Sequence, residues 1–345
     1  MSAALGECNG PVAKFAIFGA GAWGTAMALH LASLGHEVRL VARNGPWADA
    51  ARVAGENFDY LPGFAFPGNL SIGADFSAIN WADCSFLACS TAGVVEYCGR
   101  IGAAHSSKFH SPIITLCKGF VPETRQLPLA TVQKILPAFP LGVLSGPTNA
   151  ADVARGHPAA AVLAVGGGDG ELVRLQRYIS GPRFRAYRTK DICGVELGGS
   201  LKNPYAIGIG IAERFAGGGN GIAALLTRTL AEMVRIGVAL GGKAETFYGL
   251  SGFGDLVATA NGSWSRNRTF GLRIGAGESP RRIIDSEKTT VEGYGATDGF
   301  RSLCLGRGIE CPILDGIWRI LYDSLSPVEI LNALMARELC EECHR

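Results

Sequence analysis

The sequence predicts an α/β protein, in which an N-terminal Rossmann-like doubly wound sheet is followed by a C-terminal all-α domain. Three observations carry this. Short apolar runs alternate with helical stretches as far as about residue 190. A glycine-punctuated turn, FGAGAWG, separates the first such run from the first helical stretch. Beyond Thr189 strand patterns give way to long amphipathic segments. At 345 residues the chain exceeds the roughly 250–300 at which a single core stops growing. Two domains are therefore expected, a dinucleotide-binding one over 12–190 and a helical one over 191–338, with a tail at 339–345.

VAKFAIF (12–18) is short and apolar, as a buried parallel strand should be. A helix is expected from Ala22 to Ser33, stopped by Gly35, and HEVRLVA (36–42) reads as the second strand. Further strands are expected at 84–89, 113–117, 141–145, 160–165 and 184–188, with helical stretches at 93–103, 127–136 and 169–180 between them. In the second half, 221–240 places Ile222, Leu225, Leu226, Leu230, Met233, Val234 and Val238 on one helical face. Arg228, Glu232 and Arg235 fall on the other, with Asn220 as N-cap and Gly241-Gly242 as the stop. Segments near 267–277, 296–306, 313–323 and 326–338 also read as helices.

Composition narrows the class. With 48% hydrophobic and 18% charged residues and a net charge of +2, the chain reads as a soluble globular protein without the basic footprint of a nucleic-acid binder. FAIFGAGAWGTAMALHLASLG (15–35) carries no formal charge, yet four glycines and His30 argue against a membrane span or signal core. Ten cysteines show no regular framework and no secretory leader precedes them, so reduced thiols in the cytoplasm are expected. Cys340-Glu-Glu-Cys343-His344 formally matches a haem-attachment pattern or a zinc half-site; the plainer reading is a polar tail, and no metal is expected.

The turn carries Gly19, Gly21 and Gly24 in the G-x-G-x-x-G spacing, with Ala22 and Trp23 inside it. Gly19 allows the tight bend, Gly21 lets a pyrophosphate approach the backbone, and Gly24 lets the helix pack closely. Helix N–H groups and the macrodipole then receive phosphate charge. A dinucleotide is expected there, the alternative being a ligand-free turn. A site for NAD(H) usually ends its second strand in Asp or Glu, whereas Arg43 stands here, which favours NADP(H) through its 2′-phosphate. An arginine stacked on adenine would serve either cofactor.

From Ile192 to Ala212 the only charges are Glu196 and Lys202. Pro204 follows Lys202 by two residues and, on a helix, would leave the Ser200 carbonyl without its partner and kink the rod. Burial lowers an amine's pKa towards the range useful for proton transfer. The competing reading is a snorkelling lysine or a structural pair with Glu196 or another carboxylate. Three more stretches point to a site. Lys118 ends a predicted strand; Ser145, Gly146, Thr148 and Ala150 end another; Asp255, Ser265, Arg266 and Asn267 offer groups suited to a small phosphorylated polyol.

FGAGAWGTA, CKG, SGPT, GG-x-x-KN, GFGDLVAT, SRNRTFG and VEGY occur in the order seen in bacterial-type NAD(P)-dependent glycerol-3-phosphate dehydrogenases, which the chain resembles over about 13–325. The resemblance implies reversible reduction of dihydroxyacetone phosphate to sn-glycerol 3-phosphate for phospholipid synthesis, with Lys202 as the catalytic residue, and Lys118 and Asp255 assisting. It implies cofactor contacts from Trp23, Arg43, Lys118, Ala150, Arg266 and Glu292, and a homodimer. It surrounds the triose phosphate with Lys118, Gly146, Thr148, Lys202, Asp255, Ser265, Arg266 and Asn267. Two positions depart from the family pattern: Pro204 replaces an aliphatic residue and Asn149 an aromatic one. The rival readings are a β-hydroxyacid dehydrogenase, which would take a hydroxy carboxylate, and a non-catalytic NADP(H)-binding redox sensor.

Overall fold

The computed structural model describes residues 11–106, 108, 110–215, 218–286, 291–339 and 341–342, so the Cys340/Cys343/His344 pattern lies outside the described residues. The chain divides into two compact units. One holds the residues up to Cys117 together with Val121–Ile192, and the other holds Lys118–Phe120 together with the residues from Cys193 onward.

The first unit begins β1 (Lys14–Phe18), α1 (Ala22–Ser33), β2 (Glu37–Val41) and α2 (Gly45–Ala54). A small antiparallel pair, β3 (Glu56–Asn57) and β4 (Leu61–Ala65), precedes β5 (Leu70–Gly73) and β6 (Cys84–Leu87). Then follow α3 (Val94–Ala104), β7 (Ile113–Thr115), α4 (Pro128–Ile135), β8 (Leu141–Ser145), α5 (Ala150–Ala154), β9 (Ala159–Val165), α6 (Asp169–Ile179) and β10 (Phe184–Thr189). Eight strands form one sheet in the order β10-β9-β8-β7-β6-β1-β2-β5. All pairings are parallel except β8 with β9, which run antiparallel and make the sheet mixed.

The central strands are apolar throughout because both faces are covered. Along β1, Phe15 and Ile17 enter one core cluster, while Ala16 and Phe18 enter the other on the opposite face. The order reverses between β1 and β6, since the chain proceeds outward through β2 and β5 before crossing to β6. That reversal marks the crevice at the carboxyl ends of the strands where open α/β sheets bind ligands. The pair β3–β4, strand β5 and helix α2 go beyond the elements read from the sequence.

The second unit is helical. Its elements are α7 (Ile192–Ala212), α8 (Gly219–Ala239), α9 (Ala244–Tyr248), α10 (Asp255–Asn261), α11 (Arg266–Gly275), α12 (Pro280–Ser286), α13 (Glu292–Arg307), α14 (Pro312–Tyr322) and α15 (Pro327–Met335). Helix α7 is buried along nearly its whole length and runs unbroken through Pro204. Its glycines explain how neighbours come so near. A Cβ at Gly198 would sit 2.9 Å from the Ser251 carbonyl oxygen, and one at Gly210 would sit 2.4 Å from that of Arg268. Elements thus meet α7 at backbone distance, which larger side chains forbid.

Two expectations about α8 are corrected. Its N-cap is Gly218, and Asn220 lies within the first turn. Glu232 does not face solvent: it is 1% exposed and accepts hydrogen bonds from Tyr205 Oη at 3.0 Å, Ile313 N at 3.0 Å and Leu314 N at 2.8 Å. It satisfies the N-terminal N–H groups of α14, whose own N-cap residue, Cys311, supplies no side-chain bond. Helical periodicity sorts residues by polarity and is blind to a carboxylate used as a cap from another helix.

Candidate active site

In the first unit, the glycine turn lies at the carboxyl end of β1. Gly19 has φ +122°, and a Cβ there would fall 2.6 Å from the backbone of Ala88 and Cys89 beyond β6. A Cβ at Gly24 would fall 2.0 Å from the Gly19 carbonyl oxygen, whereas one at Gly21 would meet nothing within 4 Å. The bend is therefore closed behind and open at Gly21, where backbone must admit a phosphate. Helix α1 begins at Ala22 with no side-chain cap, so its first N–H groups are available to an anion. These features fit a dinucleotide pyrophosphate. Asn57, fully buried, braces the turn by donating to the Ala20 carbonyl at 2.9 Å and to Thr25 Oγ1 at 2.7 Å.

The remaining residues expected in this unit lie on α1 and beyond the ends of β2 and β8. Trp23 packs partly against the core from α1. Arg43 lies two residues past β2, two-thirds exposed, with its guanidinium 3.8 Å from Glu96. Gly146 follows β8 with φ +152°, and its carbonyl accepts a hydrogen bond from Thr148 Oγ1 at 3.2 Å. Asn149 caps α5, accepting from Asp152 N at 3.0 Å, and Ala150 opens that helix. The departure at Asn149 thus has a local role as a cap.

In the second unit two of the predicted residues, Lys202 and Lys118, meet on one carboxylate. Asp255, 2% exposed at the start of α10, receives Lys202 Nζ on Oδ1 at 2.9 Å and Lys118 Nζ on Oδ2. Lys202 also donates to Thr259 Oγ1 at 2.6 Å, and that hydroxyl donates onward to Asp255 Oδ1 at 3.3 Å. A π-helical turn, Leu250–Gly254, delivers Asp255 into α10, and the i, i+4 spacing sets Thr259 on the same face.

Desolvation lowers the Lys202 pKa from the ordinary lysine value; Asp255 raises it in opposition, and the Lys118 charge lowers it further. For Asp255, burial pushes upward, but the ammonium groups of Lys118 and Lys202 outweigh it and hold the carboxyl below the usual range. The carboxylate partner of Lys202 is Asp255, which the sequence left open between Glu196 and a residue from elsewhere.

A second chain of bonds leads away from the Lys118 carbonyl. Asn203 Nδ2 donates to the Lys118 carbonyl at 3.3 Å, Asn267 Nδ2 to Asn203 Oδ1 at 2.9 Å, and Gly293 N to Asn267 Oδ1 at 3.0 Å. Ser265 caps α11 by accepting from Arg268 N at 3.2 Å, leaving Arg266 exposed at the first helical position. Glu292 opens α13 and is partly buried. Desolvation raises its pKa, while Arg266, Lys202 and Lys118 pull it down. Thr259, Asn203 and Asn57 were not singled out from sequence. Thr259 had a signal, since it ends the GFGDLVAT motif four residues after Asp255.

Residues 14–168 match the family model described as NAD-dependent glycerol-3-phosphate dehydrogenase N-terminus, and 191–332 match the corresponding C-terminus model. The glycerol-3-phosphate dehydrogenase (NAD(P)+) of Thiobacillus denitrificans is 42% identical over 332 residues, covering 95% of this chain and 99% of that relative. That of a Janthinobacterium species is 41% identical over 337 residues, covering 95% and 99%. The crystal structure of glycerol-3-phosphate dehydrogenase from Coxiella burnetii superposes with a TM-score of 0.87 at 35% identity, covering 94% of this chain and 99% of that one. D-mandelate dehydrogenase, at 14% identity and a TM-score of 0.58, shares the fold alone.

Proposed function

Since the chain belongs to the NAD-dependent glycerol-3-phosphate dehydrogenase family, we propose that it reversibly reduces dihydroxyacetone phosphate to sn-glycerol 3-phosphate, supplying phospholipid synthesis. The observation that carries the reading is the desolvated Lys202 ammonium, bonded to Asp255 and Thr259. A β-hydroxyacid dehydrogenase would have no use for the Ser265-Arg266-Asn267 segment, and a passive sensor no use for a buried, bridged lysine.

When bound, the nicotinamide supplies the hydride for the keto carbon. Lys202 donates a proton to the oxygen that becomes the secondary hydroxyl, and its neutral amine takes that proton back in the reverse direction. Asp255 balances the positive charge and fixes the direction of the amine. Lys118 adds positive charge where the oxyanion develops. Arg266 and the N-terminus of α11 bind the substrate phosphate, so that remote binding energy aligns the carbonyl. Ser265 and Asn267 hold that segment in place. The family resemblance also assigns Gly146 and Thr148 to the triose phosphate.

Gly19, Gly21, Ala22 and Gly24 cradle the pyrophosphate, and the family resemblance assigns further cofactor contacts to Trp23, Ala150 and Glu292. Arg43, exposed past β2, binds a 2′-phosphate and gives NADPH the advantage over NADH. A homodimer is the assembly the family resemblance implies. The seven cysteines among the described residues are all free thiols, which suits the reducing cytoplasm. Among the described residues no helix is long and apolar enough to cross a membrane. An assay of the purified protein with dihydroxyacetone phosphate and each reduced cofactor tests the reading. Turnover with NADPH exceeding that with NADH is expected, and absence of turnover with both would overturn it.

A further inference from the structure

Lys118-Gly119-Phe120 follows β7 in the chain yet packs with the helical unit. Each residue of the tripeptide has its own tether there. The Lys118 carbonyl accepts from Asn203 and its ammonium bonds Asp255. The Gly119 N–H donates to Ser200 Oγ at 3.0 Å. The Phe120 ring meets Phe300 edge-on with centroids 4.7 Å apart, and a Cβ at Gly299 would lie 2.7 Å from the Phe120 ring.

Ser200 is fully buried on α7, two residues before Lys202. At that position in a glycine-rich apolar helix, alanine would pack equally well and would leave the Gly119 N–H without this acceptor. The hydroxyl there supplies the Gly119 N–H with its acceptor and so holds the backbone beside Lys118. One helix therefore carries both the proton-donating lysine and the clamp for the lysine that shares its carboxylate.

We propose that Ser200 is a positioning residue for Lys118. Its hydroxyl pins Gly119 to α7, so that Lys118 and Lys202 bind the two oxygens of Asp255 in one fixed arrangement. The inference rests on the reading of this triad as the proton-transfer site. With the clamp released, Lys118 withdraws part of its charge from Asp255 and from Lys202. Both changes raise the affinity of Lys202 for its proton, because Lys118 opposes that proton directly and competes for the carboxylate.

The test compares Ser200→Ala and Ser200→Thr, the latter retaining the acceptor. In Ser200→Ala, kcat for triose phosphate should fall about tenfold, with affinity for NADPH unchanged. The pH midpoint assigned to Lys202 should rise by about half a unit or more. Ser200→Thr should restore both. Wild-type kcat and pH midpoint in Ser200→Ala overturn the proposal, as does a loss of kcat that only tracks a lower melting temperature with the midpoint fixed. A wild-type protein without turnover would strike the enzymatic reading alone. The midpoint is then read by NMR titration of the Lys202 Nζ in the same variants, where an unmoved value overturns the positioning role.

Discussion

Lys202 Nζ stands 2.9 Å from one oxygen of Asp255 while Lys118 bonds the other, so a single buried carboxylate serves two ammonium groups. Desolvation and the second ammonium bring Lys202 closer to losing its proton, while the shared carboxylate opposes that loss and leaves neither charge unpaired. Lys202→Ala should lower kcat by about 10²–10⁴ or more, the usual worth of a general acid, and leave cofactor affinity unchanged. Steady-state kinetics beside a fluorescence titration with NADPH check both halves. Near-normal turnover would remove Lys202 from the mechanism.

Asp255→Ala leaves two cations facing each other in a dry site. Breaking a buried pair in this way typically costs about 3–5 kcal/mol. Urea unfolding should show a loss of that size, and activity should vanish. A variant as stable as the parent would mean that water reaches the lysines freely.

On the proposed mechanism the neutral Lys202 amine is the base in the oxidation direction, so the rate should rise with pH through its pKa. That midpoint should lie below the 10.5 of an ordinary lysine, because desolvation and then the Lys118 charge favour the neutral form. Lys118→Met removes one of these influences. The midpoint should therefore move up, whatever the variant's loss in kcat, and a downward move would contradict the electrostatic account.

Glu232 makes stability depend on pH. Burial raises its pKa despite donors from Ile313, Leu314 and Tyr205. The folded state thus binds this proton more tightly than the unfolded chain, where the value is about 4.3. Its favourable contribution is complete below that pH and is lost as pH rises through the raised folded value. Glu232→Gln should flatten this part of the stability curve, measured by urea midpoints from pH 4 to 8. An unchanged slope would show that Glu232 does not titrate there.

Gly24→Val places atoms where the Gly19 carbonyl already lies. The bend must open, and NADPH binding should weaken by about a hundredfold or more, as shifts of an ångström at a tuned site do. Asn57→Ala should weaken it less, since the brace goes but the glycines remain. Isothermal titration ranks the two, and an inverted order would place the turn's rigidity in Asn57.

Much of this was legible in the sequence. Continuous apolar runs announce strands covered on both faces, and the glycine turn announced its own neighbours, because a bend that tight has few chemical solutions. Helix α7 was harder. Its period is hidden by burial on every side, and Lys202 gave it away only as a charge without company. The Lys202–Asp255 pair joins residues 53 positions apart, a pairing that no local pattern encodes. Thr259 and Asn57 escaped notice for a related reason. A hydroxyl or an amide declares its purpose only when its partner, distant along the chain, is seen.

The backbone-to-backbone approach of Gly198 and Gly210 to their neighbours has an outcome for evolvability. A rod wedged so tightly along its length cannot be rotated or slid to retune the amine it carries. New chemistry would have to come from substitutions in the segments packed beside it: the tripeptide and the π-helical turn. The same packing that keeps the amine dry makes its address permanent.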